Sequence, residues 1–279
     1  MTAVKPGKRT PPPASTRGHD LVLLHGQPGT AADWQLLSGR LPAQLRVVAP
    51  DRPGYGSSPQ PPAGFAANAR AVVHQLDVRG IRRAVLVGHS YGGGVALAAA
   101  GLAPHRTEAV VLLASVGPGC VSGWDRLLAA PGTGPLSALV AWWLTPWIAR
   151  ARLACITRLR DRPLTPGEHV NWQVWAHASR EHGRLWRTFL AEQRALVREL
   201  DELVAVIPSV QAPALLLADP KDGVVPLRTA RSLAQALPNG RLRLIEGAGH
   251  HLPRRAPDAV AGAITAFLAA IDSTGNPSA

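Results

Sequence analysis

Residues 85–94 read Val-Leu-Val-Gly-His-Ser-Tyr-Gly-Gly-Gly, and an alanine-rich segment follows them. An apolar strand pattern ends at Gly88 and a helix pattern begins after Tyr91, with Ser90 in the turn between them. A serine in so tight a turn has a strained backbone, so the residues two before and two after it, Gly88 and Gly92, must lack side chains. This strand–turn–helix pattern predicts a nucleophile at Ser90.

Short apolar runs alternate with helical patterns, which predicts an α/β fold with a mostly parallel central sheet flanked by helices. The predicted strands are Leu21–Leu24, Leu45–Ala49, Ala84–Val87, Ala109–Leu113, Ala214–Leu217 and Leu242–Ile245. The predicted helices are Asn68–Val78, Val95–Leu102, Leu227–Ala236 and Pro257–Ile271. Apart from Arg46 and Arg243 the strands carry no interior charge, so we expect them to be buried on both faces.

The alternation breaks between the fourth and fifth strands, where residues 118–208 show no strand pattern and consist of helical stretches divided by prolines. We therefore expect a helical cap over 118–208, an α/β core made of 21–117 and 209–272, and a flexible lead-in over 1–20. Seven of the eight tryptophans fall in the cap segment: Trp124, Trp142, Trp143, Trp147, Trp172, Trp175 and Trp186. We expect most of them to pack the cap and at least one to line an apolar pocket.

The loop after the first strand, His25-Gly26-Gln27-Pro28-Gly29, is a candidate oxyanion loop. An oxyanion that develops near Ser90 needs two backbone N–H donors. Tyr91 supplies one from the start of the helix, and Gln27 supplies the other, because Pro28 has no N–H. We therefore predict the amides of Gln27 and Tyr91 as the oxyanion donors.

A serine hydroxyl is a weak nucleophile near neutral pH, so a base and an orienting carboxylate are required. His250 ends the turn Gly247-Ala248-Gly249 after the last strand, and we predict it rather than His251 as the base. Asp222 stands four residues before Pro226 and is predicted as the acid, which gives the chain order serine, aspartate, histidine. Asp219 is an extra carboxylate without an assigned role, and we expect its replacement to have only a mild effect on kcat.

The composition argues against several other classes of protein. The net charge of +12 comes almost entirely from arginines spread over the whole chain, without a zinc-finger, RNP or helix-turn-helix signature, so we expect solvated helix faces and no nucleic-acid partner. Cys120 and Cys155 lack metal-ligand spacing, and we predict no cofactor and no metal. No membrane span and no secretory signal are evident, so a cytoplasmic location is the expectation. The oligomeric state is open.

Five motifs in a fixed order resemble the α/β-hydrolase superfamily, in the serine-nucleophile branch related to epoxide hydrolases, cofactor-free haloperoxidases and small esterases. They are HGQPG at 25–29, DRPGYGSS at 51–58, GHSYGG at 88–93, DGVVP at 222–226 and GAGH at 247–250. The resemblance covers Leu21 to Ile271 apart from the cap, and it implies a scaffold role for the DRPGYGSS loop. Two departures from the family are the absence of an initial hairpin pattern before Leu21 and the presence of Asp219 where glycine is common.

These observations predict a serine hydrolase that cleaves an ester, lactone or thioester of an apolar small molecule through an acyl-enzyme. Perhydrolysis or haloperoxidase-type activity and a lyase reaction use the same triad and stay open. A small-molecule receptor on the same fold is a further alternative, which the presence of a complete triad disfavours. Epoxide hydrolysis and dehalogenation use a carboxylate nucleophile, so Ser90 argues against them.

Overall fold

The computed structural model describes residues 18–133 and 180–274, together with residues 143, 144, 147, 148, 150, 151 and 154. Six parallel strands form one sheet in the order β2-β1-β3-β4-β5-β6. The strands are β1 Asp20–Leu24, β2 Arg46–Val48, β3 Ala84–His89, β4 Thr107–Leu113, β5 Ala214–Ala218 and β6 Gly240–Leu244. The α/β fold with a parallel sheet that the sequence predicts is confirmed.

Helices cover both faces of this sheet. They are α1 Gln35–Ser38, α2 Phe65–Val78, α3 Tyr91–Leu102, α4 Gly123–Ala129, α5 Arg180–Val206, α6 Leu227–Ala236, α7 Leu252–Arg255 and α8 Pro257–Ser273. The predicted bounds of α6 agree with the structure, whereas α3 begins four residues before the predicted Val95. Its first turn contains Gly92, Gly93 and Gly94, which are poor helix formers, and packing against the sheet overrides that propensity.

The core has two layers, one on each face of the sheet. Successive side chains of a strand point to opposite faces, so Val22 and Leu86 lie with α2 and α3 in one buried cluster. Leu23 and Val87 lie with α8 in the other. The expectation that all strands are buried on both faces is wrong for the two outer strands, because Arg46 of β2 and Arg241 and Arg243 of β6 are exposed.

The register of the strands sets the position of the candidate site. Leu24 pairs with Gly88, His89 pairs with Leu113, and Ala218 pairs with Leu244, so the carboxyl ends of these strands lie at one edge of the sheet. The oxyanion loop and the loops that carry Ser90, Asp222 and His250 therefore leave the sheet at the same edge. In open α/β sheets this is the edge where ligands bind.

Within residues 118–208 the described residues include the helices α4 and α5 and contain no strand. The second half of α5 packs on the α/β layers, because Leu196 and Leu203 belong to the same buried cluster as α2 and α3. The division into core and cap stays a prediction. None of the helices in the described ranges combines the length and apolar character needed to span a membrane.

Candidate active site

Ser90 lies in the turn between β3 and α3, with φ 55° and ψ −121°. The residue as a whole is only 6% exposed. A Cβ added at Gly88 would lie 2.3 Å from the carbonyl oxygen of Gly92, and one added at Gly92 would lie 2.1 Å from that of Leu24. Both distances are far below van der Waals contact, which confirms that the turn requires glycine at these two positions.

A chain of two hydrogen bonds connects Ser90 to Asp222 through His250. The Nε2 atom of His250 lies 3.0 Å from Oγ of Ser90, and its Nδ1 atom lies 2.9 Å from Oδ2 of Asp222. A carboxylate can only accept, so Nδ1 carries the proton and Nε2 is left to accept from the serine hydroxyl. The structure thus brings together the three residues that the sequence singles out, in the geometry of an activated serine.

The Asp222 carboxylate is almost completely buried, with 2% of its side chain exposed. Its Oδ1 accepts hydrogen bonds from the amides of Val224 at 2.7 Å and Val225 at 3.0 Å. Burial alone would raise the pKa of Asp222, but the hydrogen bonds from His250 and from these two amides outweigh it, and the pKa is lowered. The carboxylate is therefore ionised at neutral pH, as an orienting acid must be.

The oxyanion loop packs directly against the serine. A Cβ added at Gly26 would lie 3.1 Å from Cβ of Ser90, so the amide of the next residue, Gln27, is close to Ser90. Tyr91 is the first residue of α3, where helix amides have no intrahelical partner. The Tyr91 ring is buried and stacks on Phe65 at 4.5 Å between centroids, so Tyr91 can serve the site only through its main chain.

Asp219 holds the loop that carries His250. Its residue is 1% exposed, and its Oδ2 accepts a hydrogen bond from the amide of Gly249 at 2.6 Å. Its Oδ1 accepts one from the amide of Lys221 at 2.8 Å. The hydrogen bond from the amide of Lys221 lowers the pKa of Asp219 and outweighs burial, which would raise it. The hydrogen bonds from the amides of residues 247–249 lower this pKa further. These contacts give the unassigned carboxylate a structural function and argue against the mild effect expected for its replacement.

Two further histidines, His89 and His251, lie beside His250. The Nε2 atom of His89 donates to the carbonyl oxygen of His250 at 2.8 Å, and burial followed by the charge of His250 lowers the pKa of His89 well below its usual range. The ring of His251 lies 5.5 Å from that of His250. Its partial burial and the positive charges of His250 and Arg254 lower the pKa of His251 to about 4. Both rings are therefore neutral near pH 7.

A cavity of about 40 Å³ opens beside Ser90, which is space for a few atoms only. It is bordered by the oxyanion loop, the three histidines of the site and an ion pair between Asp33 and Arg254. Trp34, which lies outside the cap segment, also lines it. Of the cap tryptophans, Trp124, Trp143 and Trp147 are exposed, while Trp142, Trp172 and Trp175 lie outside the described residues. That a cap tryptophan lines the pocket stays a prediction.

Sequence reasoning missed one group of residues near the site. Arg52 of the DRPGYGSS loop donates to the carbonyl oxygens of His25 and Gly26, and it forms a buried ion pair with Glu192 of α5. The sequence offered the motif as a signal for Arg52. It offered none for Glu192, which lies 140 residues further along the chain. Among the described residues, no group of three or more His, Cys, Asp or Glu side chains is placed to hold a metal ion.

A sequence model of the alpha/beta hydrolase family matches residues 21–263. The chain belongs to this family. This α/β hydrolase is 30% identical over 274 residues to a 2-hydroxymuconate semialdehyde hydrolase of Pseudomonas sp. (strain CF600), covering 96% of this chain and 93% of the relative. It is 28% identical over 262 residues to a 2-hydroxy-6-oxo-2,4-heptadienoate hydrolase of Pseudomonas putida (strain F1), with 91% of each chain covered. These relatives are hydrolases.

Solved structures resemble the α/β hydrolase over nearly its full length. A thermophilic esterase from Thermogutta terrifontis superposes with a TM-score of 0.70 at 23% identity and covers 92% of both chains. The 2-hydroxy-6-oxo-6-phenylhexa-2,4-dienoate hydrolase of Rhodococcus sp. strain RHA1 gives a TM-score of 0.70 at 22% identity over 91% of both chains. At these identities the likeness shows the shared fold alone, and fold does not determine the reaction.

Proposed function

We propose that this α/β hydrolase is a serine hydrolase that cleaves an ester, lactone or thioester of an apolar small molecule through an acyl-enzyme on Ser90. The observation that carries the proposal is the hydrogen-bonded chain from Ser90 through His250 to Asp222, with distances of 3.0 Å and 2.9 Å. Nucleophile, base and orienting acid are within hydrogen-bond reach of one another, as nucleophilic catalysis requires.

In the first half of the reaction, Oγ of Ser90 forms a bond to the substrate carbonyl carbon while its proton passes to Nε2 of His250. The electron pair of the carbonyl bond moves to oxygen, and the amides of Gln27 and Tyr91 stabilise that oxyanion. Asp222 stabilises the positive charge that His250 gains. When the tetrahedral intermediate collapses, His250 returns the proton to the leaving alkoxide or thiolate, and an acyl-enzyme remains.

In the second half, His250 takes a proton from a water molecule, whose oxygen adds to the acyl carbon. The same two amides hold the second oxyanion, and the proton on His250 returns to Oγ of Ser90 as the carboxylic acid leaves. The small cavity beside Ser90 suits the reacting carbonyl and the attacking water. The larger part of an apolar substrate then lies outside this cavity, and the tryptophans of residues 118–208 are the candidates to contact it.

A second candidate is hydrolysis of an unsaturated oxo acid, the kind of compound named for the two Pseudomonas relatives. The observation that favours it is the 30% identity to the 2-hydroxymuconate semialdehyde hydrolase over 96% of this chain. Such a substrate carries a carboxylate, and Arg254 is the cation that lines the cavity beside Ser90 in the described part of the chain. Its ion pair with Asp33 already balances that charge, which disfavours an anionic group at this position.

The two candidates are separated by a direct comparison of substrates. The purified protein and a Ser90→Ala control are assayed with p-nitrophenyl acetate, hexanoate and succinate and with 2-hydroxymuconate semialdehyde. Serine-dependent turnover that is fastest on the hexanoyl ester supports the proposal. Preference for the semialdehyde establishes the second candidate instead. Labelling with a fluorophosphonate and mass mapping provide the independent check, because modification of Ser57, Ser58 or Ser115 rather than Ser90 would overturn both.

A further inference from the structure

The guanidinium group of Arg52 binds two carbonyl oxygens of the oxyanion loop. Nε of Arg52 donates to the carbonyl oxygen of His25 at 2.7 Å, and Nη2 donates to that of Gly26 at 3.0 Å. The backbone N–H of Arg52 donates to Nε2 of His25 at 3.0 Å, which leaves the ring proton on Nδ1 to donate to the carbonyl of Gly26 at 2.9 Å. Two donors thus converge on one carbonyl oxygen.

That carbonyl determines the direction of the proposed oxyanion donor. The carbonyl of Gly26 and the N–H of Gln27 belong to the same trans peptide unit, and in such a unit they point in opposite directions. Because the carbonyl oxygen of Gly26 is held pointing toward Arg52, the N–H of Gln27 is held pointing away from Arg52. A donor that is fixed before the reaction stabilises a developing oxyanion without a reorganisation cost. A cation on the carbonyl also polarises the peptide and strengthens the N–H as a donor.

Glu192 of α5 fixes the orientation of the Arg52 guanidinium. Its guanidinium forms two hydrogen bonds with the carboxylate of Glu192, the second from Nη2 to Oε2 at 3.2 Å, and Nη1 also donates to Asn68 at 3.3 Å. The hydroxyl of Tyr55 donates to Oε2 of Glu192 at 2.7 Å. The side chains of Arg52 and Glu192 are 2% and 0% exposed. A planar guanidinium held by a carboxylate has a defined orientation that a lone cation lacks.

The neighbouring residue on α5 reaches the other side of the same loop. Oε1 of Gln193 accepts a hydrogen bond from the side-chain amide of Gln27, and its own Nε2 donates to Asp125 of α4 at 2.7 Å. Gln193 is 3% exposed. Two adjacent residues of one helix therefore contact the oxyanion loop, one through Arg52 and one directly.

We propose that Glu192 of α5 is a positioning residue for the oxyanion hole, and that it acts through Arg52 and the Gly26 carbonyl on the direction of the Gln27 N–H. The inference rests on the proposed serine-hydrolase function. Glu192 touches no reacting atom, and its effect is confined to steps in which an oxyanion forms. Substrate binding before the reaction does not depend on it.

The test compares Glu192→Gln with Glu199→Gln, a matched change two turns later on the same helix. Glu199 accepts a hydrogen bond from the amide of Phe65 at 2.7 Å and has no contact with the oxyanion loop. Two probes are used with each protein: a trifluoromethyl ketone, to which Ser90 adds with transfer of its proton to His250, and the corresponding methyl ketone as a ground-state analogue. Thermal melting followed by circular dichroism establishes the fraction of folded protein.

Glu192→Gln is expected to lower kcat and the affinity for the trifluoromethyl ketone by about 10²- to 10³-fold, the loss typical of one oxyanion donor. KM and the affinity for the methyl ketone stay within about threefold, because they report binding shared by ground state and transition state. Glu199→Gln keeps both the kcat and the inhibitor affinity of the wild type. Equal behaviour of the two variants in kcat and trifluoromethyl ketone affinity would overturn the inference and leave the proposed function intact.

If Glu192→Gln does not fold, Arg52→Lys replaces it. Lysine keeps the charge that pairs with Glu192 but cannot hold two carbonyls in the fixed geometry of a guanidinium, so the same loss is expected. Wild-type inhibitor affinity in folded Arg52→Lys would overturn the inference. A wild-type protein that neither turns over esters nor prefers the trifluoromethyl ketone to the methyl ketone would overturn the proposed function, and this inference with it.

Discussion

The Oδ2 atom of Asp219 lies 2.6 Å from the amide nitrogen of Gly249, the residue before His250. This short contact joins the loop after β5 to the loop after β6, and it sets where the proposed base stands relative to Ser90. Two carboxylates three residues apart thus have separate functions in the proposed mechanism. Asp222 orients the ring of His250, and Asp219 positions the backbone that carries it.

Asp222→Asn should lower kcat by about 10⁴-fold, because an amide cannot hold the Nδ1–H tautomer of His250 as a carboxylate does. Asp219→Asn should lower kcat by about 10- to 10²-fold, the effect of a displacement on the order of 1 Å at the reacting groups. Steady-state kinetics on one ester measure both. A larger loss for Asp219→Asn than for Asp222→Asn would show that the acid is assigned to the wrong residue.

A single ionisation should govern kcat/KM between about pH 5 and 8, as expected when one histidine serves as the base. The pKa of His251 is lowered to about 4 and that of His89 is lowered well below its usual value, so both rings stay neutral over this interval. His250→Ala should abolish turnover, whereas His251→Ala should keep both activity and the pH limb. The pH–rate profiles of the wild type and of His251→Ala, together with the residual turnover of His250→Ala at one pH, measure this. Loss of the limb in His251→Ala alone would transfer the role of base to that residue.

Gly88→Ala should destabilise the protein by about 3 kcal/mol, at the upper end of what overpacking costs. Its Cβ would lie 2.3 Å from the carbonyl oxygen of Gly92 and 2.5 Å from Cα of Gly93, and neither backbone atom can move without disturbing Ser90. Gly262→Ala in α8 is the control, because a Cβ there meets nothing within 4 Å. It should raise the free energy of unfolding by about 0.5–1 kcal/mol. Urea titrations that rank the two variants in the opposite order would contradict the described turn.

His19 should make the stability of the fold depend on pH. Its ring lies 2.9 Å from Glu108 and 3.4 Å from Asp272, which joins the start of β1 to β4 and α8. The hydrogen bond with Glu108, which outweighs burial, raises the pKa of His19 above 6.5. The protonated ring is therefore favoured in the folded state, and this contribution is complete below pH 6.5 and lost as the pH rises through the raised pKa.

His19→Gln should consequently reduce the free energy of unfolding more at pH 5.5 than at pH 9, with a difference on the order of 1 kcal/mol. Urea unfolding of wild type and variant at both pH values measures this difference. A cost that does not change with pH would show that the ring contributes through packing alone.

The sequence singles out Ser90, Asp222 and His250 because each follows a recognisable strand, and the structure brings them together because parallel strands have their carboxyl ends at one edge. The beginning of α3 is predicted less well, since three glycines obscure a helix that packing imposes. The contact between Glu192 and Arg52 is not predicted, because no motif marks Glu192. Glu192 reads as one polar residue of a long helix, and only the folded chain shows that it faces Arg52.

The arginines of the outer strands have a consequence for copies of this chain in solution. A sheet edge offers unpaired backbone groups to any other strand that approaches it. The outer strand β6 carries exposed Arg241 and Arg243, and β2 at the opposite edge carries exposed Arg46. Two β6 edges from separate molecules would place positive charges against one another, whereas the charge of Arg46 is balanced by an ion pair with Asp20. We therefore expect the two arginines of β6 to oppose edge-to-edge aggregation through that strand.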